Sequence, residues 1–458
     1  MKKILSILVI CFLCVSLTTP AFAKKLIKEN KFDSIIKSNN IGNTATIAIS
    51  IKNAKTGKVI YETDQDKLLH PASTLKLFST TAAIDALGTD YCFRTQLFLD
   101  SQNNVYIKLG ADPLLTSSDL KYLIRNLKNQ NHKVVNNVYI DDSIIDNVEW
   151  GTGWMWDDDT NPNMAKFSAY NIDENIIKIN LTKDPQTNST KAQLLSLYPV
   201  AILNKTTGSA STTNVCVNRY NWQTPDIIEL TGTVNTPTIA TVPINSMRRY
   251  FTYKLDEYLT TDGIKYINEN FTSKAVPKDA KMIGEVSHSL NSTIPMILKT
   301  SNNRISETVC KLAAAKSQQS TGTNEKTVKL INDFYCKNNV STEMIAIADA
   351  SGVSRNNLVS VDWMTNSLNK IYSLPSFDYI KNNMARPGEG TLNNRLFELR
   401  GNAWLKTGTI SGVSGITGYI MATNGDLYSV AILVQNFKVQ QSQVKQLEDN
   451  ILKTVSEL

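Results

Sequence analysis

The chain has 458 residues, 42% of them hydrophobic and 19% charged, which suits two or three domains with packed cores and excludes a collagenous, coiled-coil or disordered protein. Its formal charge is +7, and Arg248-Arg249 is the sole pair of adjacent arginines, so the basic face that a nucleic-acid role needs is missing. Three scattered histidines (His70, His132, His288) give no metal-ligand spacing, and neither a metal nor a cofactor is expected.

Residues 1–23 read as a secretory signal peptide. Lys2 and Lys3 supply a positive start, Ile4 to Leu17 an apolar run, and Ala21-Phe22-Ala23 a small-x-small cleavage site. The alternative is an uncleaved anchor, but the run falls short of the ~20 residues needed to span a bilayer. No later stretch is long and apolar enough to cross a membrane. Cleavage removes two positive charges, and the mild excess that stays suits a location near anionic wall polymers. It also leaves Cys92, Cys216, Cys310 and Cys336, for which three pairings exist. Cys310 with Cys336 is a candidate disulfide, and free buried thiols are the alternative.

Residues 45–52, with isoleucine at 47, 49 and 51, alternate as a strand. Asn53 to Gly57 is a turn, and Lys58 to Glu62 returns as the second arm of a hairpin. A helix is expected from Ser73 to Leu87, ended by Gly88. From about 95 to 275 short strand-like pieces alternate with polar turns. Trp150, Trp154 and Trp156 suggest a packed aromatic cluster, or less readily a ligand platform. Helices are expected over 249–263, 298–315 and 325–335. Strands follow at 402–407, 415–422 and 427–434, the last two joined by the tight turn Thr423-Asn424-Gly425. Residues 439–458 form an amphipathic helix whose stripe (Val444, Leu447, Ile451, Val455, Leu458) suits packing on a sheet, with a membrane surface as the alternative. The pattern predicts one α/β domain built from 24–95 and 275–458, interrupted by a β-rich insertion at 96–274.

Three short motifs carry chemistry: Ser73-Thr-Leu-Lys76, Ser301-Asn302-Asn303 and Lys406-Thr407-Gly408. Each alone is weak. Ser-x-x-Lys recurs at Ser34, Ser118, Ser367 and Ser442, Ser-x-Asn at Ser38, Ser101, Ser289 and Ser354, and Lys-Thr-Gly at Lys55, where it reads as a turn. Context separates the chosen copies. Ser73 follows Pro71 and opens a helix, where the dipole favours developing negative charge. Lys76 lies one turn on and can face the Ser73 hydroxyl. A serine needs an adjacent base, and a lysine serves only if burial or a nearby cation lowers its pKa; Lys406 is the expected cation. Lys406-Thr407-Gly408 ends a strand, where Gly408 leaves room for a peptide to lie along the edge as an added strand. The backbone N–H groups of Ser73 and Thr409 are a candidate oxyanion hole. His70 lies too close in sequence to Ser73 to supply a Ser-His triad.

The order of these motifs resembles that of penicillin-binding proteins and serine β-lactamases. The segments His70–Lys76, Leu109–Leu114, Asp349–Arg355 and Lys406–Ser414 are similar to those of the class C low-molecular-mass penicillin-binding proteins, the S13 peptidase family of D-Ala-D-Ala carboxypeptidases. Nearly all of the mature chain is covered. Ser73 and Ser301 are 228 residues apart, whereas class A β-lactamases have a far shorter gap. The resemblance implies an α+β transpeptidase-like fold, an antiparallel sheet flanked by helices, with an inserted domain interrupted by a further one. It implies Ser73 as acylated nucleophile, Lys76 as proton acceptor, Ser301 as proton relay and Asn303 as holder of the substrate backbone. Lys406, with Thr407, Gly408 and Thr409, would bind the terminal carboxylate, while Asp349 and Arg355 would shape the site edge. Departures are Asn302 for the usual Asp, Ala350 in the usual Asp-Gly-Ser-Gly, and Ala111 in the usual Gly-Gly-Asp-Pro.

The expected function is an exported D-alanyl-D-alanine carboxypeptidase or endopeptidase in the periplasm or wall space, acting on peptidoglycan stem peptides and blocked covalently by β-lactams. A β-lactamase-like hydrolase and a non-catalytic wall-binding scaffold are the alternatives. Weak peripheral membrane association and a homodimer stay open.

Overall fold

The structure, a computed structural model, describes residues 30–196, 198–219, 223–268 and 271–458. The segment read as a signal peptide lies outside them. In chain order the first elements are α1 (Lys31–Ser38), β1 (Thr46–Asn53), β2 (Val59–Thr63), α2 (Leu75–Leu87), β3 (Cys92–Leu99), β4 (Val105–Lys108), α3 (Ser117–Asn129) and β5 (Val134–Asp141). Next come β6 (Ile176–Lys183), β7 (Thr190–Leu194), β8 (Ala201–Asn204), β9 (Thr207–Gly208), β10 (Asn214–Arg219), β11 (Ile227–Val234), β12 (Thr238–Pro243), α4 (Met247–Thr261), β13 (Lys265–Asn268) and β14 (Lys281–Ser289). The last are α5 (Leu290–Leu298), α6 (Asn303–Ser317), α7 (Asn324–Lys337), α8 (Val361–Tyr372), α9 (Phe377–Asn382), β15 (Ala403–Ile410), β16 (Val413–Met421), β17 (Leu427–Gln435) and α10 (Gln441–Ser456).

Both ends of the chain share one antiparallel sheet, in the order β15-β16-β17-β1-β2. The first strand pairs with the last, Thr46 opposite Gln435 and Asn53 opposite Tyr428. β1 is central, so both of its faces are covered. Ile49 and Ile51 join the core beneath α10, while Ala48 joins the core made with α2, α6, α7 and α8. On α10, Val444, Leu447, Ile451 and Val455 are fully buried against the sheet. Each such side chain stabilises the fold by about 1.5–3 kcal/mol, which rules out the membrane alternative for this stripe. Both hairpin turns form as expected. Gly57 has φ 73° and Gly425 φ 83°, left-handed conformations natural to glycine. The second Lys-Thr-Gly is therefore turn chemistry.

Between these ends lies a mixed sheet in the order β13-β5-β4-β3-β14, together with the smaller sheets β12-β6-β7 and β10-β11-β8, β9 pairing with β11. They close around a separate apolar core that includes Leu97, Ile107, Val138 and Phe251. The strand-rich reading of this region overlooked α3. Leu120, Leu123, Ile124 and Leu127 are all fully buried on one face of it, and the side chains of Thr116 and Asp119 cap its start reciprocally.

Three local expectations are corrected. The helix expected over 298–315 is two helices, α5 and α6, broken at Ser301, which has φ 65°. Trp150 and Trp154 pack edge to face, as do Trp154 and Phe167, but Trp156 is 88% exposed. Cys310 and Cys336 are not paired: Cys310 is buried and Cys336 exposed, and Cys92 and Cys216 are also free and not buried. Cys310 Sγ instead turns into the α2–α6 interface, 3.6 Å from Ser79 O.

Candidate active site

Three chain segments converge beside β15, the edge strand of the terminal sheet. Ser73 lies in a 3-10 turn, Ala72–Thr74, that leads into α2. The helix proper begins at Leu75 rather than Ser73. The turn is tight, with Ala72 at φ 47°, and Thr74 Oγ1 donates to Pro71 O at 2.5 Å. Gly408 lets β15 run against it. A Cβ at 408 would lie 2.8 Å from Pro71 O, 2.9 Å from Thr74 N and 3.0 Å from Ser73 N. Gly408 thus makes room for the nucleophile's own turn, not for a ligand along the edge. Gly352 does the same from the other side, where a Cβ would come within 1.9 Å of Ala72 O.

Lys76 is fully buried. Its Nζ donates to Ser73 Oγ at 2.8 Å, to Asn303 Oδ1 at 2.6 Å and to Ser351 O at 2.7 Å. The Asn303 amide is oriented by its other end, Nδ2 donating to Asn163 O at 2.9 Å. An oxygen therefore faces the lysine. Burial lowers the Lys76 pKa to about 8, against the opposing pull of Asp349 and Glu307. Lys406, also fully buried, donates from Nζ to Ser301 Oγ at 2.9 Å and to Thr407 O at 2.8 Å. Burial, and then the charge of Lys76, hold it well below the usual lysine value. The expectation that Lys406 is what lowers Lys76 is thus replaced: burial is the leading cause, and the repulsion is felt by Lys406.

The remaining assigned residues fall around this pair. Thr407 Oγ1 donates to Thr391 Oγ1 at 2.7 Å, and Thr409 is exposed. Both line an open cavity of about 630 Å³, together with Ser73, Ser301 and Asn303. Neither lysine lines it. Asn302 caps α6, its side chain accepting from Ile305 N at 2.9 Å, a task that the usual Asp performs equally well. Arg355 is exposed at the cavity edge and donates to Ser411 O at 2.8 Å. Asp349 is not at the edge. It is buried beneath the site and accepts from Trp154 Nε1, Gly352 N, Ser354 N and Asn357 Nδ2 within 2.7–2.9 Å. Those bonds shape the loop that presents Ser351 O to Lys76. His70 bonds Asn357 O, through Nδ1 at 3.2 Å.

Sequence reasoning missed Glu307. Its Oε1 accepts from Ala350 N at 3.1 Å and Ser351 N at 2.8 Å, and burial, then Asp349, push its carboxyl up to about 7. The signal was available, since Glu307 follows Asn303 by four residues and shares its helix face.

The arrangement is a hydroxyl bonded to a buried amine of lowered pKa, beside a second hydroxyl bonded to a second buried amine, all on one open cavity. Comparisons with known proteins give the family and the fold. The model of the D-Ala-D-Ala carboxypeptidase 3 (S13) family matches residues 28–458. A D-alanyl-D-alanine carboxypeptidase of Actinomadura sp. (strain R39) is 25% identical over 414 residues, 84% of this chain and 76% of that one. The carboxypeptidase DacB of Haemophilus influenzae is 22% identical over 98% of both chains. The crystal structure of penicillin binding protein 4 (dacB) from Haemophilus influenzae superposes with TM-score 0.81 and 20% identity, covering 94% of this chain and all of that one. The form complexed with a novel β-lactam gives TM-score 0.77 over the same shares. The fold is therefore the α+β penicillin-binding-protein fold.

Proposed function

Since the chain belongs to the D-Ala-D-Ala carboxypeptidase 3 (S13) family, we propose that it trims peptidoglycan stem peptides through an acyl-enzyme on Ser73. The observation that carries this reading is the set of partners around Lys76. Asn303 Oδ1 and Ser351 O can only accept. A neutral Lys76 keeps both as acceptors of its two N–H bonds, and its lone pair falls on Ser73 Oγ, the one partner able to give it a proton.

Ser73 Oγ attacks the carbonyl carbon between the two terminal D-alanines, and its proton passes to Lys76 Nζ. The negative oxygen of the tetrahedral intermediate sits between Ser73 N and Thr409 N, each such donor contributing roughly 3–4 kcal/mol. The C–N bond then breaks. Ser301, whose oxygen already accepts from Lys406, has its own O–H free to protonate the departing amine, and the proton that Lys76 took from Ser73 replaces the one Ser301 gives up, so that Lys76 is neutral again. The terminal carboxylate meets the hydroxyls of Thr407 and Thr409, with the Lys406 amine behind them. Water then attacks the ester, giving a proton to Lys76, which passes it to Ser73 Oγ as the ester C–O bond breaks. A β-lactam mimics the same carbonyl and stays attached. The relative crystallised with a β-lactam supports this inhibition. Residues 1–23 export the protein, so it works in the periplasm or wall space.

Release of D-Ala from a stem pentapeptide by the mature protein tests the reading, with Ser73→Ala as control. Loss of release in the variant is expected. Unchanged release by Ser73→Ala would overturn the reading in favour of another nucleophile. Cross-linked dimers converted to monomers would add endopeptidase action, and a penicillin adduct that turns over rapidly would favour a β-lactamase.

A further inference from the structure

Arg304 follows Asn303 directly and is 3% exposed. A guanidinium carries five N–H donors and a permanent charge, yet here Nη1 donates to Pro113 O at 2.9 Å and no other hydrogen bond is made among the described residues. No carboxylate pairs with it there. The two acids whose charge it feels, Glu174 and Asp112, are engaged elsewhere: Glu174 with Lys178 at 3.1 Å and Asp112 with His288 at 2.6 Å. Buried charges are ordinarily paired, because an unpaired one is costly to desolvate. Burial accordingly lowers the Arg304 pKa to about 10.

Arg304 lies where cavities meet. A small cavity of about 250 Å³ shares Ser301 and Asn303 with the catalytic cavity. It shares Arg304, Glu174 and Ile176 with a third cavity, of about 630 Å³. The walls of the third are largely apolar, including Leu114, Leu115, Leu195 and Met296. The other two cations on its wall are already paired, Lys178 with Glu174 and Lys254 with Glu257. Its rim carries Asp173 and Glu174, which with the buried Asn175 make three consecutive left-handed residues, with φ of 51°, 59° and 59°. Backbone strain of this kind gathers at ligand sites.

We infer that Arg304 anchors a carboxylate of the substrate remote from the scissile bond, so that this chain of cavities forms an extended subsite for a second, acidic peptide strand with an aliphatic stem. The inference rests on the Ser73 reading for its substrate class. A short peptide ending in D-Ala-D-Ala reaches only the catalytic cavity. A cross-linked pair of stem peptides has the length to pass Ser301 and place a carboxylate on Arg304.

The test compares wild type, Arg304→Gln, Arg304→Lys and Leu195→Trp on two substrates, a diacetylated tripeptide ending in D-Ala-D-Ala and a cross-linked stem-peptide dimer. Arg304→Gln is expected to raise KM for the dimer about tenfold, the loss of one charge-assisted bond. Arg304→Lys recovers part of this, and Leu195→Trp, which fills the cavity from the opposite wall, reproduces it. Amidating the dimer's carboxylates other than the one beside the scissile bond produces the same loss in wild type, while the tripeptide keeps its KM and kcat throughout. Calorimetric binding of the dimer to Ser73→Ala, with and without Arg304→Gln, reads the same tenfold difference without turnover, so a failure of the Ser73 reading shows separately as absent cleavage. Equal losses on tripeptide and dimer would make Arg304 a prop for Asn303. An unchanged dimer KM and affinity in Arg304→Gln would overturn the subsite.

Discussion

Lys76 Nζ lies 2.8 Å from Ser73 Oγ, and burial brings that amine down to about 8. It is therefore part neutral near physiological pH, the state in which it can take a proton. The rate of acylation by a penicillin is expected to rise about tenfold per pH unit below 8 and to level off above it. A profile flat from pH 6 to 9 would remove Lys76 as the base.

Glu307 tunes that limb. Its charge favours the Lys76 ammonium and so raises the lysine pKa. Glu307→Gln removes the charge and keeps Oε1, which accepts both backbone N–H groups. The acylation midpoint of this variant moves to lower pH. Glu307 itself titrates near 7, so the difference from wild type is present above that pH and fades below it. A midpoint that moved upward would show the sign of the coupling to be wrong.

Gly408→Ala tests the packing of strand on turn. The new Cβ meets backbone atoms of Pro71, Ser73 and Thr74 at 3.0 Å or less, which a rotamer change cannot relieve. A destabilisation of about 1–3 kcal/mol by thermal or denaturant unfolding is expected, with acylation reduced because the Ser73 turn moves. A variant of wild-type stability would mean that β15 and the turn separate freely.

Ala111 sits at φ 48°, in the place where glycine is usual among the penicillin-binding proteins that the chain resembles. The left-handed conformation costs a non-glycine residue about 1–2 kcal/mol, partly offset by the greater entropy that glycine loses on folding. Ala111→Gly is expected to stabilise the protein by up to about 1 kcal/mol, read as a higher denaturant midpoint. Asn302→Asp, which preserves the α6 cap, leaves that midpoint nearly unchanged, whereas Asn302→Ala lowers stability by about 1 kcal/mol.

Much of this was legible in the residues themselves. Alternation placed β1, turn residues placed β2, β16 and β17, and glycines at 57, 88 and 425 ended elements where the chain turns left-handed. The order of three motifs brought Ser73, Lys76, Ser301 and Lys406 to one site. The break at Ser301, with Asn302 capping α6, falls in the polar run Lys299–Arg304, where a helix start could have been read. What stayed hidden was tertiary. The cause of the Lys76 shift depends on burial, which no spacing reveals. The part played by Gly408 depends on a neighbouring turn, and that of Asp349 on three donors from its own loop and one, Trp154 Nε1, from a distant segment. α3 was an oversight, since its apolar residues recur at helical intervals.

The most direct test is intact mass after incubation with a penicillin, followed by peptide mapping, on wild type and Ser73→Ala. One adduct on wild type, mapped to the peptide containing Ser73, and none on the variant is the predicted result. An adduct on Ser73→Ala, or a wild type that releases D-Ala yet never carries an adduct at Ser73, would contradict the account.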